Sequence, residues 1–164
     1  MRIELGSIFD PELDLRLERL VSVDAHSLWR GFTEPELLVQ WFTPAPWKTI
    51  AAEVDLRPGG IFRAVMRGPN GEEGDDSPGC VLDAVPGRRF AWTSALGPGF
   101  RPVDRPDGGF LMTAIIDLEP VEGGTRYCAT ARHSTEADAR LHAEMGFEAG
   151  WGAALDQLVA LFRR

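Results

Sequence analysis

The chain has 164 residues, 44% hydrophobic and 26% charged, which fits one soluble domain (1–164) with a real core. Its formal charge of −8 provides no basic face, which argues against a nucleic-acid partner and against anionic membranes. "MRIELGSIFDPELDL" has no apolar signal region and no run of about 18 apolar residues follows, so a cytoplasmic protein without membrane insertion is expected.

In chain order, "LDLRLERLVSV" (Leu13 to Val23) alternates as an opening strand. Asp24 is placed to cap a helix over "AHSLWRGF", and Glu34-Pro35-Glu36 starts a second short helix, "PELLVQWF". Pro44 and Pro46 end that helix near Trp41 or Phe42. The period then switches to two. Ile50, Ala52, Val54 and Leu56 share one face of a strand, and after "RPGG" so do Phe62, Ala64 and Met66. The acidic segment Gly68 to Gly79 reads as a solvated hairpin loop without calcium-loop spacing. "CVLDAV" and "FAWTS" are strands, Gly97 to Gly109 a long loop, and "FLMTAIIDLE" and "RYCATARH" a final hairpin. One long helix, about 135–162, closes the chain, with close packing expected at Gly150 and Gly152. Cys80 and Cys128 read as two reduced thiols. Without a CxxC, and with three scattered histidines, no metal is expected. No cofactor is expected either, since G-x-S-x-G, P-loop and G-x-G-x-x-G patterns are all absent.

The apolar face of a hairpin-rich antiparallel sheet needs a cover, and one long helix is available. A curved sheet of about six or seven strands wrapped around that helix, with two short helices after the first strand, satisfies this α+β pattern. A single helix cannot fill a wide concave sheet, so a cavity is expected between them. The strings "ELLVQWFTP", "DLRPGGIFR", "RRFAWTSAL", "FLMTAIIDLEPVEGGTRYCATARH" and "HAEMGFEAGWGAALDQL" resemble, in this order, the helix-grip fold of the START-like (SRPBCC, birch-pollen-allergen-like) superfamily. Within it the chain is most similar to the branch related to the heat-shock protein 90 ATPase activator, also called polyketide-cyclase-like. The resemblance implies a hydrophobic cavity and no shared catalytic triad.

Candidate site residues follow from parity. Phe62, Met66, Trp92, Phe110, Met112 and Tyr127 point inward from the sheet, as ordinary core or as ligand wall. On the long helix, a wheel counted from Leu141 collects Met145, Glu148, Trp151 and Gly152 on the apolar face. A carboxylate at Glu148 would need a partner or a raised pKa there. It reads as a ligand-orienting or proton-handling group, or else as a structural ion pair or an edge position reaching solvent. His133 closes the last strand on the parity of Tyr127, either as a cavity group forming a dyad with Glu148 or as a loop-tying histidine. In "WFTPAPW", Trp41 and Phe42 are candidates for the cavity end, while the direction of Trp47 is less secure. Three functions are compatible with this pattern. The first is binding of a small hydrophobic or aromatic molecule; the second is a cyclase- or hydratase-like enzyme using Glu148 and His133. The third is a chaperone-interaction module, which requires an exposed apolar patch near Trp41 to Trp47. The activator's separate N-terminal domain has no room in this length, so ligand binding is the leading expectation. A homodimer is compatible with any of the three.

Overall fold

In the computed structural model, which describes residues 9–163, alternation carries β1 over Asp14–Val21. Asp24 then caps α1 (Ala25–Thr33), its carboxylate accepting from the Ser27 N–H at 3.0 Å. α2 opens on its proline and spans only Pro35–Leu38. The expected continuation to Phe42 is instead a run of turns, with the Phe42 N–H reaching back to the Leu38 carbonyl at 3.2 Å. The cause lies downstream: Pro44 bars a further helical turn, and Gln157 captures the carbonyls of Trp41 and Thr43 at 2.8 and 2.9 Å.

Next come β2 (Lys48–Val54), β3 (Ile61–Arg67), β4 (Gly79–Val85), β5 (Arg89–Thr93), β6 (Leu96–Gly97), β7 (Arg101–Pro102), β8 (Thr113–Val121) and β9 (Gly124–Arg132). Six of these, with β1, form one seven-stranded antiparallel sheet in the order β1-β9-β8-β5-β4-β3-β2. β6 and β7 pair separately, as a small hairpin inside the segment expected to be plain loop. The expected inward set of β9 holds: Tyr127, Ala129, Ala131 and the following His133 are all buried. Arginines of the opposite parity pair with acids, Arg126 with Glu18 and Glu119, and Arg132 with Asp14. β2 departs from its expected pattern. Its register shifts between Thr49 and Ala51, so Thr49 is buried while Ile50 is 45% exposed. The extra residue of a bulge inverts the parity before it. Leu56, past the end of the strand, is exposed too.

The single helix expected over 135–162 is two: α3 (Glu136–Glu144) and α4 (Phe147–Leu161). Between them Gly146 takes φ +94°, a conformation that glycine adopts without a Cβ penalty. α3 closes on it through Met145 N–H to Leu141 O and Gly146 N–H to Ala143 O, each 3.0 Å. α4 buries Leu155, Leu158 and Val159 in the core, where Phe32 of α1 touches the rings of Trp41, Phe90, Trp92 and Tyr127. The close helix approach is not at Gly150 or Gly152. A Cβ on Gly152 would meet nothing within 4 Å, and one on Gly150 only Pro44 at 4.0 Å. It is at Gly31, where a Cβ would stand 2.5 Å from Leu158 Cδ1. A curled seven-stranded sheet thus grips the C-terminal helices in a helix-grip fold.

Candidate ligand cavity

Between the concave sheet face, the exit of α2, the α3–α4 break and the segment before β8 lies a cavity of about 760 Å³. Local chain features keep it open. Gly146 breaks the helix, Gly150 contributes no side chain, and aromatic and aliphatic residues cover most of the rest. The exposed Asp75, Asp104 and Met145 mark its rim, Met145 at 68% exposure.

Of the predicted ligand-binding residues, Trp41 and Phe42 line the inner end. Met66, Trp92, Met112 and Tyr127 contribute from the sheet side, and Phe110, Met145 and Trp151 from the loop and helices. Phe62 stands behind the wall, its ring 4.6 Å from that of Trp92 and 5.8 Å from that of Phe42. Gly152 is outside the lining. Glu148 is elsewhere altogether: its side chain is 80% exposed and 3.6 Å from Arg19 of β1. The break at Gly146 resets the helical phase, so a wheel counted through it from Leu141 points Glu148 the wrong way. Phe32, Phe147 and His142 line the cavity without having been singled out from sequence. Phe32 does fall on the apolar stripe of α1 with Leu28 and Trp29, which was a usable signal.

Polar groups are distributed unevenly around these rings. Trp29 and Trp41 give their indole N–H groups to the carbonyls of Arg89 (3.3 Å) and Gly31 (2.9 Å). Among the described residues, the indole N–H groups of Trp92 and Trp151 and the Tyr127 hydroxyl have no protein partner, and all three residues line the cavity. Burial pushes the Tyr127 phenol up, so it remains an O–H donor.

His133 meets His142 rather than Glu148. The Nδ1 of His133 is 2.9 Å from the Leu13 carbonyl, and its Nε2 is 2.9 Å from Nδ1 of His142. The Leu13 carbonyl also accepts the His133 backbone N–H at 3.1 Å, so His133 ties the start of β1 to the end of β9. His142 packs its ring 4.5 Å from Phe110 and edge-on to Phe147 and Trp151. Burial, and then the neighbouring His133, hold the His142 imidazole down at about 4, so it is neutral at physiological pH.

The loop after β7 is pinned over this corner. Arg105 makes a two-pronged ion pair with the buried Asp138 of α3, one prong at 2.8 Å. Among the described residues no three His, Cys, Asp or Glu side chains converge as a metal site requires. Nor, among them, is any helix long and apolar enough to cross a membrane.

A curled antiparallel sheet gripping helices around an aromatic cavity defines a START-like helix-grip domain. The model of the family described as Activator of Hsp90 ATPase homolog 1-like protein matches residues 22–163, and the chain belongs to that family. A crystal structure of a protein from Nitrosomonas europaea is 46% identical, with TM-score 0.88, over 94% of this chain and 97% of that one. A protein from Rhodobacter sphaeroides (22% identity, TM-score 0.80, 94% and 95% covered) shares the fold. So does an AHSA1-like protein from Aeromonas hydrophila (20% identity, TM-score 0.66, 90% of each chain). No protein of curated function matches the chain.

Proposed function

We propose that the chain binds a small hydrophobic or aromatic molecule in this cavity, as a cytoplasmic ligand-binding domain. One observation carries the reading. About 760 Å³, walled by eight Phe, Tyr and Trp side chains, contains indole and phenol donors with no protein partner. That volume falls within the range of small-molecule sites, and these donors face its open space rather than protein. A bound ring with a polar handle, or water in its place, supplies what the walls lack. The acid/base enzyme reading loses Glu148, which is solvated and paired outside the cavity. The chaperone reading lacks its apolar patch, since Trp41 is buried and Phe42 and Trp47 are partly buried.

The test is a tryptophan-fluorescence titration with 2-naphthol, on wild-type protein and on Gly150→Phe, alongside native mass spectrometry for a co-purified molecule. Gly150 borders open cavity space, so a phenyl group there occupies the site from a helical position. Binding is expected to weaken at least tenfold in the variant while its circular dichroism stays wild-type. Equal binding by both proteins would place the probe elsewhere and overturn the reading.

A further inference from the structure

We propose that the His133–His142 pair presents a fixed hydrogen-bond acceptor to the cavity, and that the occupant is a neutral aromatic molecule bearing a hydroxyl group. The inference rests on the ligand-binding reading of the same cavity. The direction of the hydrogen-bond chain follows from its inner end. A backbone carbonyl can only accept, so the Leu13 oxygen fixes the proton of His133 on Nδ1. With one ring proton, held on Nδ1, His133 presents Nε2 as an acceptor, and the Nδ1 of His142 is the donor across their 2.9 Å contact. With its proton on Nδ1, the neutral His142 carries a lone pair on Nε2. No protein group meets that nitrogen among the described residues, and it is not among their buried unsatisfied atoms, so it opens into the cavity that His142 lines.

The chemistry of the occupant follows from what surrounds that lone pair. It needs a donor, whereas the unspent indole N–H groups of the wall, Trp92 and Trp151, can only donate and the hydroxyls of Tyr127 and Ser77 can do either. A hydroxyl meets both needs, since it donates one hydrogen and accepts on the same oxygen. An ether or ketone leaves Nε2 unmet, and an indole N–H leaves the wall donors unmet. An anion is disfavoured by the lone pair and by Asp75 and Asp104 at the rim. A cation finds no carboxylate inside, because both acids are exposed at the mouth. The Phe110 ring against His142 and the Trp151 edge make an aromatic carrier for the hydroxyl the best fit.

The experiment compares 2-naphthol with 2-methoxynaphthalene, which share their rings and differ in the O–H. Wild-type protein is expected to bind the naphthol about tenfold more tightly, the size of one well-placed hydrogen bond in a buried site. In His142→Phe the ratio should fall to about one. In His133→Phe, with His142 present but free to take either tautomer, the ratio should drop several-fold, which marks His133 as a positioning residue. A readout without substitution comes from nitrogen NMR of the imidazoles, tractable with three histidines in the chain. It should find His142 Nε2 unprotonated at about pH 7.5 and shifted by the naphthol but not by the ether. Equal affinities in the wild type, or a ratio that survives in His142→Phe, overturn the inference and leave the cavity reading intact. If neither probe binds, both fail.

Discussion

Lowering the pH from about 7.5 to about 4 protonates His142 in the unfolded chain well before the folded one, whose value lies at about 4 against an ordinary 6.5. Between those values the unfolded state binds more protons, so stability is fully present above about pH 6.5 and is lost as the pH falls toward 4. A shift of one unit corresponds to about 1.36 kcal/mol, so the difference sets a ceiling of about 3 kcal/mol. His142 borders the open cavity, where solvent screening reduces the effect, and about 2 kcal/mol is expected. Among the described residues, the titratable groups around the ring are few. His133 faces it from just past β9; Asp138, one turn earlier on α3, is held by Arg105; Asp75 and Asp104 sit on the rim; Phe110, Phe147 and Trp151 are apolar. Carboxylates elsewhere titrate in the same range, so the informative quantity is the stability of wild type minus that of His142→Phe, from urea unfolding at several pH values. That difference should decrease by about 2 kcal/mol on acidification, in the direction that favours the variant at low pH. A difference constant to within about 0.5 kcal/mol over the whole range would refute the assigned environment of His142.

Five further substitutions test the frame around the cavity. Gln157→Ala removes bonds to the Trp41 and Thr43 carbonyls and to the Ala45 N–H, and should cost about 1–3 kcal/mol in urea unfolding. Gly31→Ala should destabilise by about 1–3 kcal/mol through its clash with Leu158, whereas Gly152→Ala, in open space, should stabilise by about 1 kcal/mol; thermal unfolding distinguishes the signs. Arg105→Ala strands the buried Asp138 carboxylate and should cost about 3 kcal/mol, more than Asp138→Ala, after which the half-exposed arginine returns to water.

Legibility in the sequence tracked the range of the interactions involved. Strand alternation is a local property, so the inward set of β9 and most of the aromatic lining could be read from parity alone. Two local defects escaped, each one residue in size and each shifting the phase of what adjoins it. The bulge between Thr49 and Ala51 turned Ile50 outward, and Gly146 moved Glu148 from the expected inner stripe to solvent. Gly146 carries a readable sign, a glycine where a helix can end in the left-handed region, whereas the apolar stripe of the wheel runs on across it.

The histidine pair was hidden for a different reason. His133 ends a strand and His142 sits two turns into a helix; only the corner turned after β9 brings their nitrogens to 2.9 Å. Nine residues of separation across two secondary structures have no periodic signature, and a histidine on a helix's buried face looks like any other core residue. What distinguishes His142 is how its neighbours use their hydrogen bonds. The core tryptophans Trp29 and Trp41 are satisfied by backbone carbonyls, while Trp92, Trp151, Tyr127 and the outer nitrogen of His142 are not. These unspent groups face the open space of the cavity, which marks it as the place where something other than the chain completes the network.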